Sequence, residues 1–121
     1  MTQPYGAPVP YPTGIKLGYA TATDTTLTTV IPAPGQGLAL MITSVWIDNS
    51  HATLKTGVDL YSGSTKLIGP LTAPAAGGNN SLPLFPPIPC ADNEAFGFAC
   101  VGSVATISVS AHGYIAQKGQ T

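Results

Sequence analysis

The stretch from Leu38 to Asn49, Leu-Ala-Leu-Met-Ile-Thr-Ser-Val-Trp-Ile-Asp-Asn, constrains the fold more than any other part of the sequence. It is rich in β-branched and long apolar side chains and contains no Gly or Pro, so it reads as one long β-strand. Strict alternation puts Leu38, Leu40, Ile42, Ser44 and Trp46 on one face. Ala39, Met41, Thr43, Val45 and Ile47 fall on the other. Both faces are largely apolar, which predicts a central strand covered on two sides. One small domain supplies only part of that cover, so the Met41, Val45, Ile47 side is expected to meet another copy of the chain. Trp46, the only tryptophan, is then expected in the core.

The rest of the chain alternates short strand signals with breakers. Ile15–Thr23 reads as an exposed or edge strand with Ile15, Leu17 and Tyr19 on one face. A turn at Asp24-Thr25-Thr26 leads to a shorter strand, Leu27–Ile31, and residues 32–37 form a Pro/Gly loop. After the long strand, Thr56–Ser62 carries Val58 and Leu60 inward and Asp59 and Tyr61 outward. Gly63-Ser64 suits a two-residue type II′ hairpin turn, since Gly stands at its first central position. Thr65–Ile68 returns as the partner strand. Residues 69–80 read as a long loop, and Ser81–Phe85, interrupted by Pro83, as a short edge strand. Asp92-Asn93-Glu94 has the chemistry of a turn. Ala95–Val101 places Phe96, Phe98 and Cys100 on one face. Val104–Ile115 alternates, with Ala105, Ile107, Val109 and Ala111 opposite a hydroxyl-rich face.

Eight short strands without a helical period predict an all-β, single-domain antiparallel β-sandwich, jelly-roll-like, over residues 15–116. An immunoglobulin-like sandwich is the alternative, but Cys90 and Cys100 are too close in sequence for its inter-sheet disulfide. Residues 117–121 read as a short polar tail. Residues 1–14 differ in kind. Pro4, Pro8, Pro10 and Pro12 alternate with Tyr5, Tyr11 and glycines, which favours an extended path. They read either as a leader without fixed structure or as an arm along another subunit. In the second case Pro4, Tyr5, Pro8, Pro10, Tyr11 and Pro12 are the interaction residues.

Charge narrows the function classes. The 121 residues include four lysines, five acidic residues and no arginine, for a net charge of −1. Phosphate binding needs clustered cations, so nucleic acid is not an expected partner. No apolar run approaches the ~20 residues of a membrane-spanning helix, and the N-terminus lacks the basic and apolar regions of a signal peptide. Synthesis in the cytosol is expected, with Cys90 and Cys100 expected reduced and a disulfide as the alternative. So few charges suit a subunit buried in an assembly better than a free monomer.

Catalytic and metal chemistry finds little support. His51 is expected as a solvated loop side chain and His112 on the polar face of the last strand. The two His and two Cys lack the paired spacing of a zinc site. Asp92 and Glu94 lack the ligand density of a calcium loop, and no phosphate-binding or nucleophile-elbow pattern occurs. The chain is therefore expected not to be an enzyme and to need no cofactor. Trp46, Tyr61, Phe85 and Tyr114 leave one alternative, a sugar-stacking platform, against which stands their expected use in packing.

A broader pattern joins these segments. Ile42-Thr43-Ser44-Val45-Trp46-Ile47-x-Asn49, Val58-x-Leu60-Tyr61-x-Gly63, Gly77-Gly78, Leu82-Pro83, Asn93-Glu94-Ala95-Phe96 and Val109-x-x-x-Gly113-Tyr114 together resemble small virion proteins of tailed bacteriophages. The resemblance spans residues 38–115 and leaves residues 1–14 outside it. It implies a β-sandwich subunit, often trimeric, that decorates or cements a capsid or belongs to a tail or fibre. The expected partners are further copies of the chain and the major capsid protein or other virion proteins. The expected location is the virion, after synthesis in the host cytoplasm. The resemblance carries no catalytic residue.

Overall fold

Turns fall where Gly, Pro, Asn and Asp cluster, and the segments between them pair in two sheets. The computed structural model describes residues 15–101 and 106–117, with 78–80 as backbone alone. The strands are β1 (Ile15–Ala22), β2 (Thr28–Ile31), β3 (Leu38–Asn49), β4 (Thr56–Ser62), β5 (Thr65–Ala73), β6 (Gly78–Pro89), β7 (Phe96–Val101) and β8 (Ile107–Gln117). One four-stranded sheet has the order β1-β8-β3-β6 and the other β2-β7-β4-β5. Every pairing is antiparallel. This is the order of a jelly roll, in which every consecutive pair of strands except the β4-β5 hairpin crosses between the facing sheets. The expected all-β sandwich of eight strands is what forms. The interaction residues assigned to the arm, Pro4 to Pro12, lie outside the described residues.

The core lies between the sheets. Leu40, Ile42, Val45, Ile47, Val109 and Ile107 meet Val58, Leu60, Phe96 and Phe98 across the gap, all fully buried or nearly so. At the corner where β1 approaches β2, the inward residue of β1 is Gly18. A Cβ there would press into the Val30 carbonyl and the Ile31 side chain. The sheets close this tightly only because that position has no side chain.

β3 departs from strict alternation. Against β6 its pairing passes from Ile88 to Pro83 with the surplus residues in β6, but against β8 it steps from Ile42↔Gly113 to Ser44↔His112, so there the extra residue, a β-bulge, is Thr43. Its hydroxyl donates to the His112 carbonyl at 3.2 Å. A bulge reverses the in/out parity of everything after it. Leu40 and Ile42 face the core before it, and Val45, Ile47 and Asn49 after it. This corrects the expectation that Val45 and Ile47 meet another copy of the chain, and it moves Trp46 out of the core.

Two further differences come from proline. Residues 69–80 are not a long loop: β5 continues to Ala73 and β6 begins at Gly78. β6 then runs through Pro83, Pro86 and Pro87 to Pro89. Both are edge strands, where a residue without an N–H leaves no inner ladder bond unmade. The hairpin between β4 and β5 has the expected form, with Ser62 opposite Thr65 and Gly63 at φ 58°. Asp59 points away from the core, as expected, yet it is buried, with Lys66 Nζ 3.5 Å from its Oδ1.

Asn49, at the end of β3, is fully buried. Its Nδ2 donates to the carbonyls of Leu54 (2.8 Å) and Ala73 (3.1 Å), and its Oδ1 accepts from the His51 amide at 3.0 Å. His51 is not a freely solvated side chain. Its Nδ1 accepts from the Thr53 and Leu54 amides, both at 3.1 Å. Asn49→Ala should lower stability by about 2–4 kcal/mol, because it leaves three buried or part-buried backbone groups, in the β3-β4 loop and at the end of β5, without their partner. Asp48→Ala, one exposed position earlier, should change it by less than about 0.5 kcal/mol. Urea unfolding of both variants checks this pair.

Candidate functional site

With the bulge in place, the outer face of the β1-β8-β3-β6 sheet can be read off the register in rows. Ile15, Tyr114 and Met41 lie level, then Leu17, His112 and Ser44, then Tyr19, Ser110 and Trp46, then Thr21, Ser108 and Asp48. Alternation turns Lys16 away from this face. Among the described residues, Asp48 is then its one Asp, Glu or Lys. Four of the eight exposed large apolar side chains among the described residues stand here: Ile15 (75% exposed), Leu17 (66%), Tyr19 (67%) and Trp46 (49%). Such side chains scattered singly need no explanation, but four on one sheet face make that face the candidate interaction surface.

The face is held in place by the strands and by local polar contacts. Trp46 meets the His112 ring edge-on, with centroids 6.2 Å apart and planes at 85°. The Tyr19 hydroxyl donates to Ser108 Oγ and accepts from Thr21 Oγ1, both at 3.3 Å. These hydrogen bonds hold the Tyr19 phenol below its usual pKa. Beside Trp46 lies a pocket of about 190 Å³ lined by Ser44, Val45, Trp46, Ser81, Leu82 and Pro83. That is below the usual range for a small-molecule site, roughly 300–1,000 Å³.

The four aromatic residues weighed as a sugar platform do not come together as a set. Trp46 and Tyr114 share this face, with Tyr114 four residues from Ser110 along β8. Tyr61 belongs to the other sheet, and Phe85 stands 96% exposed on edge strand β6. The residue that joins Trp46 in its row is Tyr19. In β1 the small residues Gly18, Ala20 and Ala22 alternate with the bulky Ile15, Leu17 and Tyr19. Tight closure at Gly18 sends the small set inward and the bulky set out.

The remaining chemistry-bearing residues serve structure. Ser62 Oγ donates to Glu94 Oε1 at 2.8 Å and accepts from the Ala91 amide at 2.9 Å. Asn93 Oδ1 accepts from the Gly35 amide at 3.0 Å, so the Asp92-Asn93-Glu94 turn ties a loop to a hairpin. Among the described residues, no group of three His, Cys, Asp or Glu is placed to hold a metal. Cys90 and Cys100 are free and buried. Burial pushes the Cys90 thiol up to about 11 and also raises Cys100, which leaves both weak nucleophiles near neutral pH. No protein-family model and no curated protein matches the chain.

Two outcomes follow. Trp46→Ala should cost less than about 1 kcal/mol, whereas Phe98→Ala, which empties the core, should cost about 3–5 kcal/mol. Chemical denaturation compares them, and equal losses would place Trp46 back among the core residues. For Cys90, a folded-state pKa above the unfolded value makes the neutral thiol a stabilising form. Its contribution is complete below the unfolded pKa and is lost as pH rises through about 11. Stability measured from pH 8 to 11 should therefore fall more steeply in the wild type than in Cys90→Ala.

Proposed function

We propose that this chain is a structural subunit of a bacteriophage particle, a capsid decoration (cement) protein that stabilises the head by bridging neighbouring capsid subunits. The observation that carries the reading is the outer face of the β1-β8-β3-β6 sheet. Ile15, Leu17, Tyr19 and Trp46 stand exposed there on a sheet whose other face already fills its own core. A jelly-roll domain with such a face and few charges is built to be covered by protein. The resemblance to small tailed-phage virion proteins gives that cover its context. Fold alone would not, since jelly rolls also serve as lectins and enzymes. The partners in this reading are further copies of the chain, as a homotrimer, and the major capsid protein. Neither nucleic acid nor membrane takes part, and no catalysis is involved.

A second reading, a tail- or fibre-associated carbohydrate-binding module, draws on one observation. Trp46 is half exposed beside Ser44, Ser110 and His112, an aromatic ring with polar neighbours of the kind that stacks on sugars. Titrating Trp46 fluorescence with a glycan panel separates the two, because the structural reading expects no saturable shift.

The purified chain should scatter light as a trimer at micromolar concentration, and a clean monomer would count against the assembly reading. In particles from the native source, an antibody to the chain should decorate the head in electron micrographs. Label confined to the tail favours the second reading, and particles without label reject both.

A further inference from the structure

We propose that the outer face of the β1-β8-β3-β6 sheet is the seat for residues 1–14 of a second copy of this chain. The proposal rests on the reading of the chain as an assembling subunit, and it names the contact that joins one copy to the next.

The chemistry of the two surfaces matches. Residues 1–14 contain four prolines, two tyrosines and a valine, and no Asp, Glu, Lys, Arg or His. The face offers Ile15, Leu17, Tyr19 and Trp46, with Asp48 its one Asp, Glu or Lys among the described residues. Four prolines in fourteen residues bias this segment toward an extended polyproline-type path. Proline-rich chain is recognised by aromatic side chains on an open surface, because its extended form is already ordered and little entropy is lost on docking. Tyr19 and Trp46, in one row on either side of Ser110, are two strand spacings or roughly 10 Å apart. The pocket of about 190 Å³ beside Trp46 has room for a ring from such a segment.

Reach and direction point to a second copy. In an extended form the fourteen residues would span about 43 Å, at ~3.1 Å per residue. The face is only ~14 Å wide between its outer strands. A docked segment can therefore cross the sheet and still bridge a gap between subunits. β1 begins at Ile15 and advances toward Tyr19, which lies level with Trp46. The chain that precedes Ile15 reaches its own Trp46 only by doubling back over roughly 13 Å. A neighbour's face requires no reversal. Each copy then gives one segment and receives another, a head-to-tail contact that closes as a ring, and a ring of three gives the trimer.

The test uses two full-length double variants in sedimentation velocity. One loses the face (Tyr19→Ser with Trp46→Ser), and the other loses the anchors of the segment (Tyr5→Ser with Tyr11→Ser). Each should weaken self-association by about 30-fold or more, as expected for removal of aromatic hot spots, with little change in its unfolding midpoint. If the first variant unfolds, Leu17→Lys replaces it. Mixed together, the two variants should form a one-to-one complex, since one intact segment meets one intact face. The proposal is overturned by a monomeric wild type, by unchanged association of either folded variant, or by a mixture that stays monomeric. Head labelling is read separately. Complementation without head label keeps this contact and rejects the virion reading, and head label without complementation does the reverse.

Discussion

The extra residue at Thr43 is the constraint on which the rest of the molecule depends. β3 is paired on both sides, so a bulge there acts on the whole β1-β8-β3-β6 sheet. Continued alternation from Leu40 and Ile42 would bring Ser44, Trp46 and Asp48 inward. A carboxylate would then sit without a partner in an apolar core, while Val45 and Ile47 faced outward. The bulge avoids that cost. It also delivers Asn49 to the end of the core, where its amide fastens the segments at Leu54 and Ala73 to β3. One inserted residue thus settles the core, the loop anchor and the exposed aromatic together.

Much of the fold was legible because its signals are local. β3 and β4 have the predicted ends, and the Gly63-Ser64 turn and the buried Phe96-Phe98-Cys100 face follow from turn chemistry and period. The bulge was not legible. Thr43-Ser44 contains no Gly or Asn to mark it, and it is fixed by register with two distant strands. The prolines of β5 and β6 misled for a related reason. Proline breaks a ladder only where an N–H is required, and which side of a strand is unpaired is a tertiary fact.

The candidate surface was harder to see than the fold. Trp46 was placed in the core by parity, and Ile15, Leu17 and Tyr19 belong to a strand whose two faces differ in size rather than in polarity. A rule that sends bulky residues inward fails there, because the approach of β1 to the Val30 carbonyl admits only Gly18. The aromatic group on this face therefore follows from packing at a corner and from a bulge in a different strand. Neither is encoded within the residues that are exposed.

The distribution of proline has a consequence for how copies can stick together wrongly. On one flank of the sandwich the free edges are β5 and β6, broken by Pro70, Pro83, Pro86 and Pro87. On the other, β2 is only four residues long. That leaves β1 as the one lengthy edge whose backbone is free of proline along Ile15–Ala22, and it bears the charge of Lys16. Unpaired edges template sheet growth from molecule to molecule, and Pro and Lys are the residues that blunt them. A protein this apolar is thereby guarded against amyloid-like polymerisation along most of its free edges, and the Lys16 ammonium guards the gap.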